Sequence, residues 1–429
     1  MSDVDKVLKD NDYVISNSEE NKNDKVVVLK KSKDFLKWFL GDKNLHDKKI
    51  GFILDDNGDV KKMEVMYEFL KYYLSVKDKF TLKMEDYNSL FVKGYSNRFL
   101  EEALEQFTSS NKGGKFLRAS LIALGYQSFG KDDDKYLPLG IALELFQTSI
   151  LIHDDIIDKA DKRRGLDTIP VKYQKIYGDP IKNGDNFKGK RKDIGNSMAL
   201  CLGDLGFYLA LQIIVQNYRN NENLDRVLEY YNSVAIKTCE GEMVDVILPF
   251  YEEFYGEEDN LESHVMEIYK LKTAWYSVVG PYCMGAILGG LDDEKVHKLE
   301  DALINLGVAF QIKDDLLGIY GDEKHIGKSV TSDVSEYKQT ILYAYAINTE
   351  CRDELLKYYG KNISVKEMDK VKEIFDKSGA REYANKTMDK LFKDSFKDIL
   401  DLDFLDLDKK KLLLGFAEFL KVRSKWLRK

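Results

Sequence analysis

Residues 145–158 read LFQTSILIHDDIID. An almost unbroken apolar run ends abruptly in three carboxylates, Asp154, Asp155 and Asp158. On a helix Asp154 and Asp158 are separated by one turn and share a face. Carboxylates crowded at the end of an apolar segment repel one another, and burying them is costly. Either the helix end is solvated, or a hard divalent cation resolves the conflict, because carboxylate oxygens suit Mg2+.

Working outward, a second segment repeats the pattern. GVAFQIKDDLLGIYGD (307–322) ends an apolar run in Asp314 and Asp315, but the position one turn after Asp314 is Gly318. Two such helix ends facing one cavity would gather several Mg2+ ions, and a cluster of cations calls for a polyanion such as a diphosphate. Basic residues stand near both: Lys115 and Arg118 in GGKFLR (113–118), Arg163 and Arg164 after the first cluster, Lys272 and Thr273, then Lys328 and Lys338. Taken singly, each is an ordinary surface charge; their joint placement points to a site.

Composition frames the rest. The chain has 429 residues, 44% of them hydrophobic and 33% charged, with 5 Pro, so long helices meet few obstacles. Helical periodicity dominates from Met63 onward, as in VMYEFLKYYLSV (65–76) and RFLEEALEQF (98–107). The expected fold is all-α, a single large helical bundle around a deep central cavity, spanning 61–429. Residues 1–60 form an N-terminal appendage, partly disordered or of short helices. Residues 178–195 and 251–262 read as loops. Ala274 to Leu291 is uncharged and long enough to span a membrane, but its Pro281 and four glycines favour a buried core helix. A net charge of −8 argues against nucleic acid. Four cysteines without a CxxC pair, together with a polar N-terminus, fit a cytoplasmic protein with reduced thiols. The C-terminal LLLGFAEFLKVRSKWLRK is amphipathic with a basic end, a docked helix or a transient membrane-surface contact.

The ordered pieces GGKFLR, LFQTSILIHDDIID, RRG (163–165), LGD (202–204), CEGEMVD (239–245), KTAWY (272–276), GVAFQIKDD, GDEKHIGKSVTSD (321–333) and SGAREYA (378–384) resemble the trans-isoprenyl diphosphate synthases, or polyprenyl synthetases, especially geranylgeranyl diphosphate synthases. The resemblance implies an isoprenoid-synthase fold, a homodimer, and Mg2+-dependent head-to-tail condensation of isopentenyl diphosphate with an allylic diphosphate. It implies about three Mg2+ ions held by Asp154, Asp158 and Asp314, with Asp155 and Asp315 in support. It assigns Arg163, Lys272, Lys328 and Lys338 to the allylic diphosphate, with Thr273 and Gln311 nearby. Lys115, Arg118, Gln147 and Arg164 fall to isopentenyl diphosphate. The chain departs from the family's pattern at Phe116 to Ala119, at Gln147 where His is frequent, at Glu242 where Gln is frequent, and at Gly318.

No imidazole base stands out, since only His153 adjoins a motif; the proton lost in condensation would go to the departing diphosphate. Product length would depend on the floor beneath the first motif. Ser149 and Ile150 are not aromatic, so Phe146 is the candidate floor. Geranylgeranyl diphosphate is then the expected product, with a farnesyl or longer chain as the alternative. A class I terpene cyclase, a non-catalytic subunit of a heteromeric synthase and a helical scaffold are the rival readings.

Overall fold

The computed structural model describes residues 26–29, 49–52, 59–93, 97–111, 113–130, 132–163, 165–178, 193–250, 260–321 and 331–422. The fold is all-α, as expected. The helices run α1 Asp59–Val92, α2 Arg98–Asn111, α3 Leu117–Phe129, α4 Leu137–Ile157, α5 Ile169–Tyr177, α6 Ile194–Tyr218, α7 Leu224–Ile247 and α8 Leu261–Ile268. A π-helical stretch, Tyr269–Val279, continues α8. Then come α9 Gly280–Leu288, α10 Asp293–Tyr320, α11 Ser332–Ser335, α12 Ile341–Ala346, α13 Arg352–Leu355, α14 Val365–Lys377, α15 Ala380–Asp401 and α16 Leu407–Val422. Two small sheets interrupt them. Strands β1 Val26–Leu29 and β2 Lys49–Phe52 pair in parallel, and β3 Lys162–Arg163 and β4 Leu166–Asp167 form an antiparallel hairpin. Most of 1–60 and of the expected loops 178–195 and 251–262 lies outside the described residues.

The chain divides into two compact units, residues 1–74 with 399–429, and residues 75–398. In the first, the Phe69 ring packs on Phe416 at 5.4 Å and on Phe419 at 5.8 Å. Gly415 permits this approach, because a Cβ there would lie 2.0 Å from the Val65 carbonyl oxygen.

In the second unit α4 is central. Pro138 sits in its first turn, where the missing N–H costs nothing. Leu139, Ile141, Ala142, Leu143, Leu145 and Phe146 are all buried, since a helix apolar on every side must be covered on every side. It packs against α3 and α6. The uncharged stretch from Ala274 is core, as expected: Tyr282, Cys283 and Met284 are fully buried. It is not one regular helix, because the π-helical geometry persists to Val279 before α9 begins. Among the described residues, the helix whose length and composition would allow membrane crossing is instead α6, with a mean hydropathy of 1.9 over its apolar window. One side of α6 packs on α4, while Leu200, Tyr208 and Val215 on the other are exposed.

Candidate active site

The first carboxylates are met by a hairpin. The α4 helix keeps right-handed geometry through Asp158, and the chain reverses at Lys159, whose φ is +50°. The β3–β4 hairpin then returns Arg163 to the helix end. Its Nη2 donates to Asp154 Oδ2 at 2.6 Å and its Nε to Asp155 Oδ1 at 2.6 Å. Burial works against the guanidinium charge, and the two aspartates outweigh it.

Lys272 is the second hub. Its Nζ donates to Asp245 Oδ2 at 2.5 Å and lies 2.9 Å from Glu242 Oε2 and 3.8 Å from Asp154 Oδ1. Burial alone would lower its affinity for a proton; Asp245, Glu242 and Asp154 reverse this and hold it above the ordinary lysine range. Glu242 is itself pushed upward by burial, against the pull of Lys272. Two glycines make the arrangement possible. A Cβ at Gly241 would lie 2.4 Å from the Lys272 backbone nitrogen, and one at Gly307 would lie 2.4 Å from Ala274 Cβ. The π-helical stretch is therefore pressed between α7 and α10. It carries Tyr269, Lys272, Thr273, Tyr276 and Ser277, and π geometry is frequently found at functional sites.

The second carboxylate pair is wired to the same stretch. Asp315 is 2% exposed. It accepts from the Tyr269 hydroxyl and, at 2.8 Å, from Gln311 Nε2. Thr273 Oγ1 donates to Gln311 Oε1 at 2.7 Å, and the Ile341 amide donates to the Tyr269 hydroxyl at 2.8 Å. Burial pushes the Asp315 carboxyl up to about 7, despite the nearby Lys338 charge. Asp314 is half-buried beside it. Lys338 interacts electrostatically with Asp333, Asp315, Asp245 and Asp158, which include residues of both acidic helix ends.

Gly318 looks different in three dimensions. A Cβ there would lie 2.4 Å from Asp333 Oδ2. A carboxylate from α11 thus occupies the space that a side chain at 318 would enter. Restoring the motif with Gly318→Asp is expected to lower stability, since the new carboxylate must displace that of Asp333 and sets a like charge beside it. A thermal melt of the variant without Mg2+ checks this; an unchanged or raised Tm would contradict it.

The other basic set begins in GGKFLR, at the start of α3, and meets the π-helical stretch through Arg118. Gly114 and Gln147 line a small recess with Asn111, Phe116, Glu144 and Thr148. Phe116 in GGKFLR takes a left-handed φ of +52° just before α3, and Lys115 beside it is half-buried. Arg118 stacks on the Tyr276 ring at 4.1 Å and donates to Ser277 Oγ at 2.7 Å. Its Nε is buried and has no hydrogen-bond partner among the described residues, a donor suited to an anion. Arg164 and Lys328 lie outside the described residues. His153 turns its Nε2 to 3.4 Å from Asp204 on α6, away from Arg163 and Lys272.

Among the described residues no three His, Cys, Asp or Glu side chains already stand close enough to hold a metal ion. Asp154 is engaged by Arg163 and Lys272 instead. The donor set still fits Mg2+, with Asp154 and Asp158 one turn apart at the end of α4, and Asp158 and Asp315 both interacting with Lys338. Residue-by-residue reading of the sequence passed over Asp245, Tyr269, Ser277 and Asp333 as site residues. The i, i+3 spacing of Glu242 and Asp245 on α7 was the available signal.

The pattern of the Polyprenyl synthetase family matches residues 97–377. The geranylgeranyl diphosphate synthase of Sulfolobus acidocaldarius is 30% identical over 303 residues, 70% of this chain and 82% of that one. The geranylfarnesyl diphosphate synthase of Aeropyrum pernix is 27% identical over 319 residues, 73% of this chain and 91% of that one. In three dimensions the chain is similar to a geranylgeranyl pyrophosphate synthase from Corynebacterium glutamicum, solved with isoprenyl diphosphate and magnesium. The TM-score is 0.67 at 25% identity, covering 81% of this chain and 97% of that one. The chain belongs to the polyprenyl synthetase family, and it is a prenyltransferase that elongates isoprenyl chains.

Proposed function

We propose that the chain condenses isopentenyl diphosphate with an allylic diphosphate to give geranylgeranyl diphosphate. The observation that supports this reading is that Lys338 interacts with Asp158 of the first aspartate motif and Asp315 of the second, while Lys272 lies 3.8 Å from Asp154 of the first. Arg163, Lys272, Lys328 and Lys338 hold the allylic diphosphate, with Thr273 and Gln311 beside them. Lys115, Arg118, Gln147 and Arg164 hold isopentenyl diphosphate. Asp154, Asp158 and Asp314 are the ligands for about three Mg2+ ions, which neutralise the leaving diphosphate when bound. As the diphosphate binds, Arg163 and Lys272 transfer from carboxylate to phosphate oxygens. They thereby stabilise the charge that develops on the leaving group. The alkene of isopentenyl diphosphate then attacks the allylic carbon, and the proton leaves to the departing diphosphate, since His153 points elsewhere. Tyr276 and Phe146 keep water from the allylic cation.

The test is incubation of the purified chain with Mg2+, isopentenyl diphosphate and each allylic primer, followed by chain-length analysis. A twenty-carbon product supports the reading. Product formed without isopentenyl diphosphate would point to a cyclase, and a product of other length would change the assignment.

The exposed apolar side of α6, with Leu200 50%, Tyr208 70% and Val215 41% exposed, supports a homodimer in which a second copy covers it. Tyr208→Asp with Leu200→Asp is expected to give a monomer in sedimentation equilibrium. An unchanged mass would move the interface elsewhere. The four cysteines are free, which supports a cytoplasmic, reducing location.

A further inference from the structure

Tyr337, immediately before Lys338, has a φ of +57°. For a bulky residue the left-handed region is unfavourable by roughly 1–2 kcal/mol, so the surroundings must over-determine it. They do. The Tyr337 hydroxyl is 3.0 Å from that of Tyr343, and its ring lies 5.7 Å from the Tyr343 ring and 5.9 Å from that of Tyr359. Tyr343 and Tyr359 pack on each other at 4.6 Å and are almost fully buried. The backbone is clamped as well. Lys338 N donates to the Asp333 carbonyl at 2.9 Å, Tyr337 N to the Val334 carbonyl at 3.2 Å, and Gly360 N to that same carbonyl at 2.9 Å. Gly360 leaves room for the ring, because a Cβ there would lie 2.9 Å from Tyr337 Cδ2.

The reversal at 337 decides where the next side chain goes. With residue 337 left-handed, Lys338 enters the space shared by Asp158, Asp245, Asp315 and Asp333. A right-handed or extended residue there would send the chain, and Lys338 with it, in another direction. Tyr359 also interacts electrostatically with Asp333 and Asp315, so the cluster borders the space that Lys338 enters, and Lys338 is the charged group whose direction Tyr337 sets.

We propose that Tyr337 is a positioning residue for diphosphate binding: its left-handed backbone, pinned by the rings of Tyr343 and Tyr359, aims Lys338 into the space between the two aspartate-bearing helices. The inference rests on the reading of Lys338 as a diphosphate ligand.

Four variants of the full chain test it: Tyr337→Ala, Tyr337→Asn, Tyr337→Gly and Lys338→Ala. Each is measured for Tm, for KM of the allylic primer and kcat, and for the affinity of inorganic pyrophosphate with Mg2+ by calorimetry. Tyr337→Ala keeps the backbone cost and loses the clamp. It is expected to raise the primer KM and the pyrophosphate Kd about tenfold, with kcat changed much less. Asn and Gly enter the left-handed region readily, so they are expected to restore both constants to within about threefold, although they too lack the ring. A merely structural role predicts instead that all three lower Tm alike and leave pyrophosphate affinity unchanged, and that result overturns the proposal. If Tyr337→Ala does not fold, pyrophosphate binding tenfold weaker in Tyr337→Asn than in wild type overturns it equally, because the backbone is then not what aims Lys338. Lys338→Ala separates the two layers. Loss of pyrophosphate affinity in Lys338→Ala with none in Tyr337→Ala removes the positioning role alone. Unchanged affinity in Lys338→Ala removes the assignment of Lys338 and, with it, the role of Tyr337.

Discussion

Lys272→Ala is expected to reduce kcat by about 10²–10³-fold and to destabilise the protein by about 3–5 kcal/mol. Both effects have one origin. The Lys272 ammonium is 23% exposed and lies against Asp245, Glu242 and Asp154 at 2.5, 2.9 and 3.8 Å. Removing it leaves three carboxylates in a partly dehydrated site without their common cation. The stability loss is therefore a property of the unliganded protein, and the rate loss a property of the complex, in which the proposed reaction brings the same ammonium to the leaving diphosphate. The two are separable. Glu242→Gln added to Lys272→Ala removes one of the stranded charges, so it is expected to recover part of the stability and none of the rate. A coupling of more than about 0.5 kcal/mol in the four-way comparison would be the signature of the direct interaction. Lys272→Arg is not a neutral replacement, because a planar fork reaches three converging carboxylates less well than a compact ammonium does. Should Lys272→Ala keep kcat within tenfold, the hub described here is structural and the leaving-group role belongs elsewhere.

This hub shows where sequence stops being informative. That α4 and α10 are helices ending in carboxylates is written locally, in apolar runs such as LELFQTSILI and GVAFQIK closed by paired aspartates. The basic residues are equally visible as residues. Which carboxylate each one meets is not, because that depends on contacts between segments far apart in the chain. Lys272 lies 27 residues from Asp245 and reaches it only because Gly241 lets the π-helical backbone come close. The π geometry is also hidden: an uncharged run from Ala274 to Leu291 reads as one apolar helix, whereas the pitch changes at Gly280, with Pro281 in the first turn of α9. Gly318 is the sharpest instance. As a letter it is a missing aspartate; in space it is the room that Asp333 uses. Tyr337 is the converse case, an ordinary letter in a backbone conformation that no local preference for tyrosine would select.

Phe146→Ala is expected to lengthen the product by one or more five-carbon units. Phe146 lies eight residues before Asp154, roughly 12 Å along the helix at 1.5 Å per residue, on the path a chain would take from the first motif toward the N-terminus of α4. Its ring is 4% exposed and is closed in by Phe207 at 5.2 Å, Tyr231 at 5.5 Å and Tyr276 at 6.2 Å. Phe146 thus belongs to an aromatic group drawn from α4, α6, α7 and the π-helical stretch, so the expected floor is that group and not one side chain. Above it Ser149 is small and its hydroxyl is folded back onto the Leu145 carbonyl at 3.1 Å, so nothing aromatic on α4 intervenes before the motif. Truncating Phe146 opens a cavity, and in a buried aromatic position that costs about 3–5 kcal/mol. A longer prenyl tail refills the space with apolar atoms, so the loss of stability in the free enzyme and the gain in chain length should appear together. Phe207→Ala separates a shared floor from a single stopper. If the group acts together, this change also lengthens the product, although Phe207 is on α6 and outside the motif. If Phe146→Ala lowers Tm while the product distribution stays the same, the ring is core packing alone, and the end of the tunnel lies elsewhere.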